Sequence, residues 1–303
     1  AGARLDRTFF LVASKSGTTL ETISQYRYFR AKVEAAGLPE PGSRFAAITD
    51  PGSPLEALGR QEGFRKTFRN PSDIGGRYSA LSYFGMVPAA LLNLDLSTLA
   101  SRAEAAREEA LAPDPSRNAA LRLGALLGAA SREGRDKLTI LTAPFLRPVG
   151  FWIEQLIAES TGKENKGIIP VEGEPLGAAH HYGADRIFVS IELDGERVPD
   201  LERLQADLTR SGAGWVRIVL ADRDQIAGEF VRWEVATSFA GAVLQIDPFD
   251  EPNVQESKDN TKRILDQFTS GGRMPTGEPV GRDSGIEIYA DRDFWSRISS
   301  VNV

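Results

Sequence analysis

The stretch 14-SKSGTTLET-22 follows directly on the apolar, aromatic-rich run 8-TFFLVA-13 and leads into the amphipathic stretch 19-TLETISQYRYFRAKVEAAG-37. An apolar run that ends in small, hydroxylated residues and then turns helical reads as a strand–turn–helix unit. Two uses of that turn are open. Ser and Thr are favoured N-cap residues, so the segment can be a polar turn that caps the helix. Alternatively, the hydroxyls of Ser14, Ser16, Thr18 and Thr19, the Lys15 charge and backbone freed by Gly17 can converge on an anion at the helix N-terminus. A phosphomonoester, with about −1.5 to −2 charges at neutral pH, suits that density of donors.

The same alternation continues along the chain. Apolar runs recur at 44-RFAAIT-49, 138-LTILTA-143, 186-RIFVSIEL-193 and 215-WVRIVL-220. Helical patterns recur at 79-SALSYFGMVPAALL-92, 148-PVGFWIEQLIAES-160 and 200-DLERLQADLTRSG-212, and again from Asp224 to about Gln267, broken at 247-DPFDEPN-253. Continuous apolar strands alternating with helices indicate an α/β fold of parallel sheets covered by helices on both faces. The proline-bearing segment 112-APDPSRN-118 is the best linker. It divides the chain into domains of residues 1–115 and 116–270, followed by an irregular extension over 271–303 that includes 270-SGGRMPTGEPVGRDSG-285. The first strand and its turn come with no preceding βα unit, so the first domain reads as N-terminally incomplete and the chain as part of a longer polypeptide.

Composition narrows the function classes. The 303 residues are 41% hydrophobic and 26% charged, an ordinary globular balance with room for two domains. No apolar run reaches the roughly 18 residues of a membrane span, and the N-terminus lacks a signal-like pattern. Cysteine is absent, which excludes disulfides and thiolate metal sites and fits a cytoplasmic location. A net charge of −6 argues against nucleic acid or an anionic membrane as partner, while leaving a local anion pocket open. The two histidines, His180 and His181, are adjacent, which argues against a histidine-rich metal centre.

Three further segments carry candidate chemistry. In 75-GGRYSALS-82 a Gly-Gly turn precedes Arg77 and a helix start. This is either a surface loop or a guanidinium placed to stabilise a developing oxyanion. In 152-WIEQLIAESTGK-163, Gln155 and Glu159 share a helix face. Glu159 is either solvated surface or, beside Leu156, Ile157 and Ala158, a partly buried carboxylate that can act as a base. In 247-DPFDEPNVQESK-258 a turn opens a helix that carries Lys258, one of eight lysines, which taken alone reads as helix surface.

Together these motifs resemble a known family. A cradle of the form SKxGTTxET, then GGR[FY]S, then Q-x-x-x-E-S-x-G-K, then FDxxxVxxxK, in that order, is similar to glucose-6-phosphate isomerase. The features 173-GEPLGAAHHYGADRIFV-189 and 271-GGRMPTGEP-279 resemble the isomerase half of bifunctional transaldolase/phosphoglucose isomerases. The resemblance runs from about Thr8 to at least Lys262.

It implies two sugar-isomerase domains and interconversion of glucose 6-phosphate and fructose 6-phosphate through an enediolate, without metal or cofactor. It also implies a homodimer and continuity with a transaldolase domain. Ser14, Ser16 and Thr19 would bind phosphate, helped by Lys15 and Thr18. Glu159 would move the proton between C1 and C2, and Arg77, beside Gly76, would stabilise the enediolate. Gln155 would hold sugar hydroxyls, and Lys258 and His181 would assist ring opening.

The chain departs from the pattern in three places. It starts after the family's upstream Gly-Gly-Ser loop. Glu251 stands where the family has glutamine. YGADRIFV replaces the aromatic helix that follows the family's ring-opening histidine. A sugar-phosphate-binding module without catalysis would need only the cradle, whereas an isomerase needs Glu159 and Arg77 to converge.

Overall fold

The computed structural model describes residues 4–250, 252–272 and 277–299. They form two units, the first ending at Asp250 and the second starting after it. In the first unit, β1 (Phe10–Ala13), α1 (Leu20–Ala35), β2 (Phe45–Thr49), α2 (Pro54–Gln61) and β3 (Lys66–Arg69) build a three-stranded parallel sheet ordered β1-β2-β3. Phe10 lies opposite Phe45, and Ala46 opposite Lys66.

Three helices follow, α3 (Tyr83–Leu91), α4 (Leu96–Ala110) and α5 (Ala119–Arg132). A second parallel sheet is then laid down by β4 (Lys137–Thr142), α6 (Arg147–Thr161), β5 (Ile169–Glu172), β6 (Arg186–Leu193), α7 (Pro199–Arg210), β7 (Gly214–Leu220) and α8 (Ile226–Leu244). Its strand order is β5-β4-β6-β7. The chain is thus α/β, with parallel sheets flanked by helices.

The expected strands at 8–13, 44–49, 138–143, 186–193 and 215–220 are β1, β2, β4, β6 and β7. Within the two parallel sheets, two strands escaped the reading because both are short and lack a continuous apolar run. In β3 the charged Lys66 and Arg69 break any apolar run, and in β5 the sequence Ile-Pro-Val-Glu carries a proline, which an edge strand tolerates. The 112–118 segment is a tight connection. Buried Asn118 caps α5 by accepting from the Leu121 N–H at 2.8 Å and donates to the carbonyls of Ala110 and Ala112.

Each sheet has its own core. Phe45 on β2, fully buried, packs against Phe10, Tyr26 and Phe64 with ring centroids 4.9, 5.3 and 5.5 Å away. Around the second sheet, Leu138, Ile153, Ile157, Val189, Ile191 and Trp233 form the larger cluster. There α5 and α8 approach closely because Gly124 and Gly128 face α8. A Cβ at 124 would fall 2.2 Å from the Ala236 carbonyl oxygen, and one at 128 would fall 2.7 Å from the Val243 Cβ. In the second unit, α9 (Pro252–Gly271) is followed by an antiparallel pair, β8 (Gly281–Asp283) with β9 (Ile286–Ile288), and by α10 (Arg292–Ser299). This tail is more regular than its turn-rich sequence suggests.

Packing places several carboxyls under a desolvation penalty, Glu234, Glu229 and Glu172 among them. Glu234 on α8 has its Oε1 sealed from solvent without a hydrogen-bond partner, and burial pushes its pKa from 4.5 up to about 8. Below pH 4.5 both folded and unfolded chains carry this proton. Between pH 4.5 and about 8 only the folded chain retains it, so stability falls as pH rises through that window. Glu234→Gln is therefore expected to match the parent near pH 5 and to exceed it at pH 8 by on the order of 2 kcal/mol in urea denaturation. An equal difference at both pH values would show that the carboxyl ionises normally.

Candidate functional site

The turn after β1 sits at the carboxyl ends of the first sheet, where open parallel sheets bind ligands. The Ser14 N–H donates to Ile48 O, Asp50 N–H to Lys15 O and Asn70 N–H to Thr49 O, so the loops after all three strands are joined. Buried Ser14 faces Thr19, their hydroxyl oxygens 2.9 Å apart, and Ser14 Oγ accepts from the Gly17 N–H at 3.1 Å. Exposed Ser16 and Thr18 form a second hydroxyl pair at 2.9 Å. Gly17 lies at φ +69°, and a Cβ there would fall 2.7 Å from the Leu55 amide nitrogen, so glycine is required on both counts.

Thr19 stands at the N-cap of α1 without its side chain capping it. The hydroxyl that would cap the helix instead closes the cradle, so the plain capping reading of the turn is not realised. Lys15 differs from the expectation of an anion-facing charge. Its ammonium pairs with Asp50 and donates to Ser72 O at 2.8 Å, binding the loops after β1, β2 and β3 to one another.

The loop leaving β3 leads to Arg77, which lies in the 3₁₀ turn Gly76–Tyr78. Gly76 is exposed, with open space where a Cβ would stand, and neither Gly75 nor Gly76 has positive φ. The tight glycine turn expected from the sequence is an ordinary 3₁₀ turn that leaves bare backbone beside the arginine.

The Arg77 side chain is 3% exposed. Nη1 donates to Ser160 Oγ at 2.9 Å and to Pro248 O at 3.3 Å, and Nη2 donates to the carbonyls of Phe249 and Asp250 at 3.1 and 3.2 Å. Nε lies 3.7 Å from Glu159 Oε2. Trp152 Nε1 donates to Arg77 O at 3.1 Å, so α6 holds the residue by backbone and side chain together. Tyr78 adds its hydroxyl to Pro248 O at 3.1 Å, and burial pushes its phenol above the usual range.

On α6, Gln155 Nε2 donates to Glu159 Oε1 at 3.1 Å, as the four-residue spacing predicts. Glu159, with its side chain 31% exposed, thus presents one carboxylate oxygen to Gln155 and the other to Arg77. The structure brings together Arg77, Gln155 and Glu159 as one group and the residues 14–19 as another.

His181 lies elsewhere, exposed in the 3₁₀ turn Ala179–His181, with its ring centroid 4.2 Å from that of His180. Among the described residues, no hydrogen bond or ring contact joins it to Arg77, Gln155 or Glu159. Lys258 is exposed on α9, in the second unit. Glu251 and residues 273–276 of the GGRMPTGEP segment lie outside the described residues.

The sequence reading did not assign Tyr78, Trp152, Ser160 or Lys163. Tyr78 and Ser160 adjoin residues it did assign, and each reaches the 247–250 turn or its ligands. A lysine three residues after a buried helix face was the available signal for Lys163.

No family model matches the chain. It is 28% identical over 318 residues to glucose-6-phosphate isomerase of Clostridium novyi (strain NT), covering 92% of this chain and 68% of that one. It is 32% identical over 246 residues to the enzyme of the same name from Clostridioides difficile (strain 630), covering 80% of this chain and 54% of that one. The chain is similar in sequence to glucose-6-phosphate isomerases over most of its own length. Its fold is shared with the crystal structure of a glucose-6-phosphate isomerase from Chlamydia trachomatis at a TM-score of 0.69, with 22% identity, covering 88% of this chain and 61% of that one. The chain therefore spans between 54% and 68% of the curated glucose-6-phosphate isomerases it matches here. No helix among the described residues is long and apolar enough to cross a membrane.

The Arg77 fork makes a direct structural prediction. Arg77→Lys keeps the charge but cannot reach Ser160 and three carbonyls at once, leaving buried acceptors unpaired. Urea denaturation is expected to show a loss of about 2–4 kcal/mol, in the range for breaking a buried charged network. A loss below about 0.5 kcal/mol, typical of a surface position, would show that the 247–250 turn holds itself without the guanidinium.

Proposed function

We propose that this chain is an aldose–ketose isomerase that interconverts glucose 6-phosphate and fructose 6-phosphate through an enediolate, with Glu159 as the base. The observation that carries this reading is the Arg77–Glu159–Gln155 group. It sets a carboxylate beside a buried guanidinium on elements that also appear, in the same order, in the family motifs. Support comes as well from relatives named glucose-6-phosphate isomerase over most of the chain.

In this reading the phosphate sits in the 14–19 cradle, on the hydroxyls of Ser14, Ser16, Thr18 and Thr19 and the first N–H groups of α1. Lys15, through Asp50 and Ser72, orders the loops around it. With the phosphate anchored, the Glu159 carboxylate takes the proton from C2 of the open-chain aldose. The electron pair released moves toward the C1 oxygen and gives the enediolate. Arg77 stabilises the negative charge, and Gln155 orients Glu159 while offering its amide to a sugar hydroxyl. A proton then passes from the C2 hydroxyl to the C1 oxygen, and returning the carbon-bound proton from Glu159 to C1 gives the ketose, so base and acid are one residue. The exposed backbone at Gly76 lets the sugar approach Arg77 without a side chain in the way. His181 and Lys258 are assigned to ring opening on the resemblance alone.

The wider proposals follow the same resemblance. The two sheets represent two sugar-isomerase domains meeting near residue 115, the active form is a homodimer, and the natural polypeptide also carries a transaldolase part. A cytoplasmic location accords with the lack of cysteine.

Glu159→Gln tests the reading. It preserves size and hydrogen bonding to Gln155 but cannot accept a proton. In a coupled assay of fructose 6-phosphate conversion, kcat is expected to fall about 10²–10⁴-fold, the usual cost of a lost general base. KM is expected to change little, because ground-state affinity comes mainly from the cradle. Solvent-hydrogen exchange at C1 and C2 of the sugar should be lost in parallel. A parent chain that binds fructose 6-phosphate without turnover would favour a sugar-phosphate-binding module instead.

A further inference from the structure

The 247–250 turn is gripped by two buried cations rather than one. Lys163, two residues beyond the end of α6, has a side chain 6% exposed. Its ammonium donates to Asp247 O at 2.6 Å and to Asp250 O at 2.9 Å and pairs with the Asp250 carboxylate. Arg77 takes the carbonyls of Pro248, Phe249 and Asp250. Asp250 O therefore accepts from both cations, and every carbonyl from 247 to 250 receives at least one charged donor.

A lysine carries three donors, and here all three are used on one four-residue segment. The charges divide in the same way, since Arg77 has Glu159 as its carboxylate and Lys163 has Asp250. Without the ammonium, the turn would lose its anchor to the end of α6, and the carbonyls that orient the Arg77 fork would no longer be fixed.

We propose that Lys163 is a positioning residue for the isomerisation. It clamps the 247–250 turn onto α6 and thereby holds the Arg77 guanidinium in register with Glu159. Lys163 acts through Arg77, being bound to the same turn and to the same Asp250 carbonyl. The kinetic consequence rests on the isomerase reading; the clamp itself does not.

Two variants and two readouts test it in the full chain. Lys163→Met retains the aliphatic stem and removes the donors. Its amide hydrogen exchange over 246–250 is expected to rise by about tenfold or more, while β4 and β6 stay protected, as expected for local opening. Its kcat for fructose 6-phosphate is expected to fall about 10²-fold with KM within about twofold, the pattern of a misplaced group that acts in the transition state. Lys163→Arg, which keeps charge and several donors, is expected to recover most of both.

Should the methionine variant fail to fold, Asp250→Asn carries the test, because the Asp250 side chain is 55% exposed and its loss spares the core. That variant weakens the same grip and is expected to lower kcat roughly threefold to tenfold at constant KM. Unchanged exchange over 246–250 overturns the clamp, and unchanged kcat, or a rise in KM alone, overturns the positioning role. An inactive parent chain would refute the isomerase reading, and the exchange measurement would still decide the clamp.

Discussion

A guanidinium removed from water has to find a partner for each N–H, because an unpaired buried charge costs several kcal/mol. Arg77 answers that need with hydrogen bonds from its two terminal nitrogens to Ser160 on α6 and to three successive carbonyls from 248–250, and with the Glu159 carboxylate 3.7 Å from Nε. Residues separated by more than 170 positions are thereby held within one hydrogen-bonded network. The same arrangement places a cation beside a carboxylate whose other oxygen is held by Gln155, so stability and the proposed chemistry depend on one fork. A buried pair of this kind is weak evidence of stability for its own sake, since well-packed apolar residues would serve as well. Its retention fits a site that needs charge in a fixed place.

The cradle follows a different logic. Its donors are short hydroxyls and backbone N–H groups, held by pairing among themselves and by a single left-handed glycine packed against the start of α2. The one full charge in the segment, on Lys15, is turned to Asp50 and Ser72 O. Anion affinity there would come from oriented dipoles, with Lys15 serving to tie three strand ends into one rigid rim. Donors at the carboxyl end of a sheet and a buried guanidinium beside a helix carboxylate are two ways of preorganising a site, and the proposed reaction uses both.

Much of this was legible in the residues. Continuous apolar runs read as strands, whether buried through most of their length like β2, β4 and β6 or at a sheet edge like β1 and β7. All five could therefore be placed, as could the helix face shared by Gln155 and Glu159. The edge strands β3 and β5 could not, since half-exposed strands with Lys66, Arg69 or Pro170 lack that signature. The network around Arg77 was legible only at its ends. Which acceptors fill a guanidinium depends on how distant segments meet, and nothing local marks Ser160 or the carbonyls of 248–250 as its partners. Lys15 shows the same limit from the other side: a lysine in an anion-like motif is identical in sequence whether it faces the ligand or a neighbouring aspartate.

The central claim is that the cradle and the Arg77–Glu159 pair serve one sugar phosphate. A crystal structure of the chain with fructose 6-phosphate tests it most directly. The account predicts the phosphate among Ser14, Ser16, Thr18 and Thr19, with C1 and C2 within about 3–3.5 Å of the Glu159 carboxylate and a C1 or C2 oxygen facing Arg77. A phosphate bound away from residues 14–19, or a sugar whose C1 and C2 lie out of reach of Glu159, would contradict it.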